Sequence, residues 1–120
     1  QTLSDFFIYS GDDALTLPML AVGGCGVVSV ASHLIGRELR KMVKLFSDGE
    51  VRQAREIHLH YLELMREIFM TTNPIPVKAA MARLGLCGEH YRLPLTPLNE
   101  EMSIRLDWLL EEYRLLKSGN

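Results

Sequence analysis

Two polar clusters carry the residues with chemical potential: Ser10-Gly11-Asp12-Asp13 and Ala31-Ser32-His33. Each follows a short apolar run, Phe6-Phe7-Ile8-Tyr9 in the first case and Val27-Val28-Ser29-Val30 in the second. Polar residues at strand ends usually face a site. Adjacent carboxylates such as Asp12 and Asp13 can orient a polar substrate, or they can cap a following helix by accepting its first N–H groups. A metal site is not expected there, because no third ligand is at hand. His58 and His60 stand two residues apart on a helical stretch, so they point about 200° apart and cannot share a metal. His33 follows the second run and reads as a solvated or capping histidine before a site-lining one, and His90 lies in a loop without a signal. Gly23, Gly24 and Gly26 lack the spacing, following helix and acidic partner of a dinucleotide fingerprint, and read as turn glycines before a strand.

Both apolar runs read as strands that are apolar on two faces, the pattern of a buried parallel sheet. Between them lies a short crossover. Pro18 is tolerated there if Thr16 caps and Pro18 falls in the first turn, or if Asp12 to Thr16 form a separate tight turn. Gly23 then stops that helix. Beyond His33 the sequence is helical. Residues 36–46 carry Leu39, Met42, Val43 and Phe46 at helical spacing and end at Asp48-Gly49. Residues 50–70 place Val51, Ala54, Ile57, Tyr61, Leu64, Met65 and Ile68 on a broad stripe. Asn73-Pro74-Ile75-Pro76 breaks the chain, and a third helix is expected over 77–86, closed by Gly88. Thr96-Pro97 or Asn99 opens the last helix, with Glu100 and Glu101 favourable in its first turn. Apolar residues lie on two sides of it: Met102, Leu106, Leu109, Leu110 and Tyr113 on one, Ile104, Trp108 and Leu115 on the other. It is expected to pack against more than one neighbour.

The 120 residues are 48% hydrophobic and 23% charged, which suits one modest globular domain. A net charge of −2 without a basic patch argues against nucleic acid. No apolar run approaches the roughly 20 residues of a membrane span, and the charged-then-apolar pattern of a secretory signal is missing. Cys25 and Cys87, far apart and outside any CxxC pair, suggest reduced and buried thiols, with Cys25 packing rather than reacting. A cytoplasmic protein is the expectation. Two parallel strands, however, leave two edges and several faces uncovered, and a sheet that small is hardly ever stable. The simplest expectation is therefore the C-terminal fragment of a larger α/β protein, which a start at Gln1 rather than Met allows.

Three segments in order, YSGDDALTLPMLAVGGCGVVSVASH, NPIPVKAAMARLGL and RLPLTPLNEE, closely resemble the C-terminal part of the dihydrodipicolinate synthase family. That family shares a superfamily of pyruvate-dependent aldolases with N-acetylneuraminate lyase. The resemblance implies a (β/α)8 barrel with a C-terminal helical extension: residues 1–48 as the last part of the barrel, holding its last two strands and eighth helix, and 49–120 as the extension. In such barrels the site lies at the C-terminal ends of the strands.

What the resemblance implies for chemistry is a synthase that condenses pyruvate, held as a lysine Schiff base, with aspartate semialdehyde on the route to lysine and diaminopimelate. It implies no cofactor and no metal, and a homotetramer built as a dimer of dimers. The Schiff-base lysine and the proton-relay tyrosines are expected upstream, so no catalytic residue falls in this chain and the fragment alone should be inert. Lys41, Lys44, Lys78 and Lys117 do not match the nucleophile. Gly11 matches a glycine that lets backbone approach the substrate, Val28 an apolar residue whose carbonyl faces bound pyruvate, and Val22 a contact between tight dimers. The Val28 side chain itself reads as core. Asp12 and Asp13 are candidates to line the site. Two other readings stand beside this one: a non-enzymatic helical interaction or oligomerisation module of the same ancestry, and another pyruvate-dependent aldolase such as N-acetylneuraminate lyase.

Overall fold

A computed structural model describes residues 6–116. Asp5, expected to bound the first strand, and Lys117 lie outside the described residues. The chain forms two compact units, residues 1–65 and 66–120.

The first unit opens with β1 (Tyr9–Ser10), which pairs in parallel with β2 (Gly26–Val27) in the register Tyr9 to Gly26 and Ser10 to Val27. The ladder is extended on both sides, by the Cys25 N–H to the Ile8 carbonyl at 2.7 Å and the Val28 N–H to the Ser10 carbonyl at 2.8 Å. The crossover follows the second alternative, a separate tight turn, and keeps from the first only the place of Pro18. A single 3-10 turn, Asp13–Leu15, runs into α1 (Thr16–Ala21), with Pro18 in the first turn of α1. Thr16 does not act as an acceptor cap; its hydroxyl donates to the Asp13 carbonyl at 2.7 Å. At the other end Gly23, at φ +101°, closes α1 as expected. Its N–H donates to the Leu20 carbonyl and the Gly24 N–H to that of Met19, the paired bonds of a Schellman stop.

Two expectations about this sheet need correction. The strands are not buried on two faces: Phe6 (66%), Phe7 (68%) and Val28 (73%) are exposed, so the Val28 side chain is not core. Within this chain only two short paired strands and one crossover are present, and they leave those faces uncovered. Nor are the cysteines buried, since Cys25 and Cys87 are both exposed free thiols. Cys25 precedes β2 on a turn, where its backbone is held and its side chain is left outside.

α2 (Ser32–Ser47) turns irregularly at Ile35 and then runs as predicted, burying Leu39 and Met42. α3 (Val51–Glu67) buries Ala54, Leu64 and Met65 from the predicted stripe, together with His58, while Val51 at its first turn is exposed. His60 is exposed, in keeping with the opposed directions of the two histidines.

In the second unit α4 (Ile75–Arg83) packs on α5 (Glu100–Glu112). The prolines of Asn73-Pro74-Ile75-Pro76 start α4 rather than merely breaking the chain, because Pro76 sits at a position whose N–H has no helical acceptor anyway. Its expected stop at Gly88 is also corrected. Gly85, at φ +72°, ends the helix with its N–H on Ala82 and the Leu86 N–H on Met81. Asn99 opens α5, its side chain accepting the Met102 N–H at 2.8 Å. Leu106, Leu109 and Leu110 are buried, whereas Ile104 and Trp108 on the other side are exposed. Among the described residues no helix is long and apolar enough to cross a membrane.

Candidate functional site

The parallel register sets the geometry. With Ser10 opposite Val27, the next residues, Gly11 and Val28, emerge together at the C-terminal end of the two-stranded sheet. Gly11 is exposed, its φ is not in the left-handed region, and an ideal Cβ there would meet nothing within 4 Å. Neither backbone conformation nor internal packing therefore demands a glycine at this position. What glycine leaves there is open space beside a strand end.

Asp12 and Asp13 divide into two roles. The Asp12 side chain accepts the N–H groups of Ala14 (2.8 Å) and Leu15 (3.3 Å), capping the 3-10 turn as a strand-end aspartate can. The Ser10 hydroxyl donates to the Asp12 carbonyl at 2.7 Å and accepts the Asp12 N–H at 3.2 Å, which bends the chain out of the strand. Asp13 is buried, 1% exposed. Its carboxylate accepts the Val30 and Ala31 N–H groups, each at 3.0 Å, and the Ser29 hydroxyl. The Ser29 hydroxyl oxygen in turn accepts the Ser32 N–H at 2.8 Å. A helix N-terminus attracts anions; here the amides of residues 30, 31 and 32 are already taken by Asp13 and Ser29.

Val22, the C-cap of α1, is 81% exposed, whereas its neighbour Leu20 is buried. His33 is exposed and its N–H donates to the Val30 carbonyl. Of the lysines, Lys44 pairs with Asp48 at 2.6 Å in an exposed position, and Lys78 lies 5.7 Å from the centroid of the Tyr91 ring. Among the described residues no group of three or more His, Cys, Asp or Glu side chains could hold a metal ion.

Three arrangements escaped sequence reasoning. Ser10 and Ser29 organise the strand ends; Ser10 beside the carboxylate pair was an available signal, whereas Ser29 lies sixteen residues from Asp13 and had none. An open cleft of about 300 Å3 lies between α2 and α3, lined in part by Glu38, Lys41, His60 and Tyr61. Burial, and then the charge of Glu38, raise the Tyr61 phenol above its ordinary value. In the second unit Arg83 pairs with Asp107, donates to Ser103 Oγ at 2.6 Å and to the Ala79 carbonyl at 3.2 Å, and lies 3.7 Å from Glu89. These partners are spread over α4, the loop after it and α5, so no local spacing announced them.

Residues 1–113 match the model of the dihydrodipicolinate synthetase family. The chain is 55% identical over 104 residues to 4-hydroxy-tetrahydrodipicolinate synthase 1 of Halalkalibacterium halodurans, covering 87% of this chain and 35% of that protein. It is 48% identical over 112 residues to the 4-hydroxy-tetrahydrodipicolinate synthase of Bacillus velezensis, covering 93% of this chain and 39% of that one. The crystal structure of dihydrodipicolinate synthase from Aquifex aeolicus superposes with a TM-score of 0.93 at 42% identity, over 98% of this chain and 40% of the other. The chain thus spans less than half the length of these relatives, yet nearly all of it aligns with them. It belongs to the dihydrodipicolinate synthetase family.

Proposed function

We propose that this chain is the C-terminal part of a 4-hydroxy-tetrahydrodipicolinate synthase, in which pyruvate bound as a lysine Schiff base condenses with aspartate semialdehyde. In this reading residues 1–48 close a (β/α)8 barrel, residues 49–120 form a helical extension, and the protein works in the cytoplasm as a tetramer. The names of the relatives favour the synthase over N-acetylneuraminate lyase.

The observation that carries the site is that Gly11 and Val28 directly follow the paired Ser10 and Val27 at one sheet end, and that no atom of this chain lies within 4 Å of a Cβ built on Gly11. The chemistry also fits the division of labour. Imine formation needs an amine that is partly neutral near pH 7, through desolvation or a neighbouring cation. Lys44 is exposed and ion-paired, Lys41 is exposed on α2, and Lys78 lies on α4 over the Tyr91 ring. The nucleophile then belongs to a preceding barrel strand, and this chain supplies one wall: the open approach at Gly11 and the backbone carbonyl of Val28.

Borohydride reduction in the presence of pyruvate tests the proposal. The full-length protein should gain one reduced pyruvate adduct on a lysine that precedes Gln1, and the isolated 120-residue chain should gain none and show no synthase activity. A stoichiometric adduct on Lys41, Lys44 or Lys78 would overturn the assignment.

A further inference from the structure

We infer that Asp13 is a positioning residue of the proposed site, fixing the strand end that carries Val28 relative to the one that carries Gly11. The inference rests on the reading of the site given above.

The route of the cap is what distinguishes this role from ordinary helix capping. Ala31, at the N-cap of α2, offers no side-chain cap of its own. The acceptor comes instead from Asp13, seventeen and eighteen residues earlier in sequence than the two amides it holds. A serine or aspartate at the N-cap would stabilise α2 locally and say nothing about β1. A carboxylate delivered from the end of β1 ties the two strand ends together. Asp13 follows Gly11 by two residues, and it grips the Ser29 hydroxyl and the amides of Val30 and Ala31, directly after Val28.

The bond is also built to hold. Asp13 is 1% exposed, and its peptide carbonyl is engaged by the buried Thr16 hydroxyl at 2.7 Å. Both carboxylate oxygens accept, so three donors converge on one rigid group. Charge-assisted bonds of this kind are shorter and stronger than neutral ones. An amide in the same place has a single acceptor oxygen and turns an N–H2 group toward donors. Its replacement should therefore leave a folded chain with the Val28 segment misplaced. Misplacement of a reacting group by about 1 Å can cost on the order of 100-fold in rate.

The test uses the full-length protein and three measurements: the rate of borohydride-trappable pyruvate adduct formation, the kcat for condensation, and thermal unfolding. Asp13→Asn should form the adduct at the same lysine but about 10- to 100-fold more slowly, with unchanged assembly and one cooperative unfolding transition. Ser29→Ala, which keeps the carboxylate and both amides, should slow it in the same direction by less. A lowered melting temperature with wild-type trapping rate and kcat per folded site would make Asp13 a cap only and overturn the inference. If Asp13→Asn does not fold, Ser29→Ala decides, and wild-type kinetics in that variant overturn it. Failure of the wild type itself to trap pyruvate would instead remove the proposed function, and this inference with it.

Discussion

The Gly24 N–H donates to the Met19 carbonyl at 2.7 Å, and a Cβ on Gly24 would stand 2.8 Å from that same oxygen. The bond that ends α1 is therefore formed only because residue 24 has no side chain. Substitution Gly24→Ala forces the backbone apart, loses the bond and shifts the path into β2. The expected cost is about 1–3 kcal/mol, read as a lowered denaturant midpoint with unchanged slope. A variant as stable as the wild type would show that the stop relaxes without penalty.

Gly11 makes the contrast. Its Cβ direction is empty and its φ is unstrained, so Gly11→Val should leave unfolding within about 0.5 kcal/mol of wild type, as for other surface positions. In the full-length protein the two added methyls project into the space proposed for substrate approach. Catalytic efficiency toward pyruvate should fall by more than 10-fold, since misplacement at a reacting centre is costly. Wild-type kcat/KM would remove Gly11 from the site.

The sequence made some of this legible and hid the rest for physical reasons. Helical periodicity located Leu39, Met42, Leu64 and Met65, because burial of one helix face leaves a period that a reader can count. Asp12 was recognisable as a cap because its targets lie two and three residues away. Asp13 looks identical in sequence, yet its partners are sixteen to eighteen residues away, and nothing in local spacing separates the two. The double-faced apolar character of the strands suggested burial. In the described residues Phe6, Phe7 and Val28 instead remain in solvent, because cover for a sheet comes from neighbours and not from the strand itself.

Arg83 should dominate the stability of the second unit. Its guanidinium addresses the Asp107 carboxylate, the Ser103 hydroxyl and the Ala79 carbonyl together, a fan of donors that a lysine ammonium cannot reproduce. Arg83→Lys should therefore lose nearly as much stability as Arg83→Ala, about 1–3 kcal/mol. A double-mutant cycle with Asp107→Asn measures the coupling. Full retention of stability by the lysine variant would reduce the cluster to a simple ion pair.

Tyr91 donates to the Ile75 carbonyl and to Glu89, both at 3.2 Å. Burial first, and then the adjacent Glu89 carboxylate, push its phenol up to about 12 from 10.0. In the unfolded chain the phenol loses its proton near the ordinary value, so between these two values the folded state binds more protons. The contribution to stability is complete below pH 10 and is lost as pH rises toward 12. Tyr91→Phe should flatten that alkaline fall. A phenolate titration by ultraviolet difference spectra that shows all tyrosines ionising near the ordinary value would contradict it.

The exposed end of α1 is where the proposed tetramer contact can be tested. Leu20 is buried at 6% exposure and serves the core, whereas Val22 is 81% exposed and has no packing role within the described chain. The family resemblance implies that this helix joins two tight dimers. Placing an aspartate at 22 would bring a charge into a small dry contact, where desolvation typically costs several kcal/mol. Because the side chain is outside the core, Val22→Asp should not disturb folding; Leu20→Asp, by contrast, should. The full-length Val22→Asp protein is therefore expected to sediment as dimers at micromolar concentration, while the wild type sediments as tetramers. The proposed tight dimer is expected to stay intact in this variant, so the proposed synthase activity should survive at least in part. A tetramer unchanged by the substitution would exclude the α1 end from the contact, and a variant that fails to fold would show that Val22 belongs to the core after all.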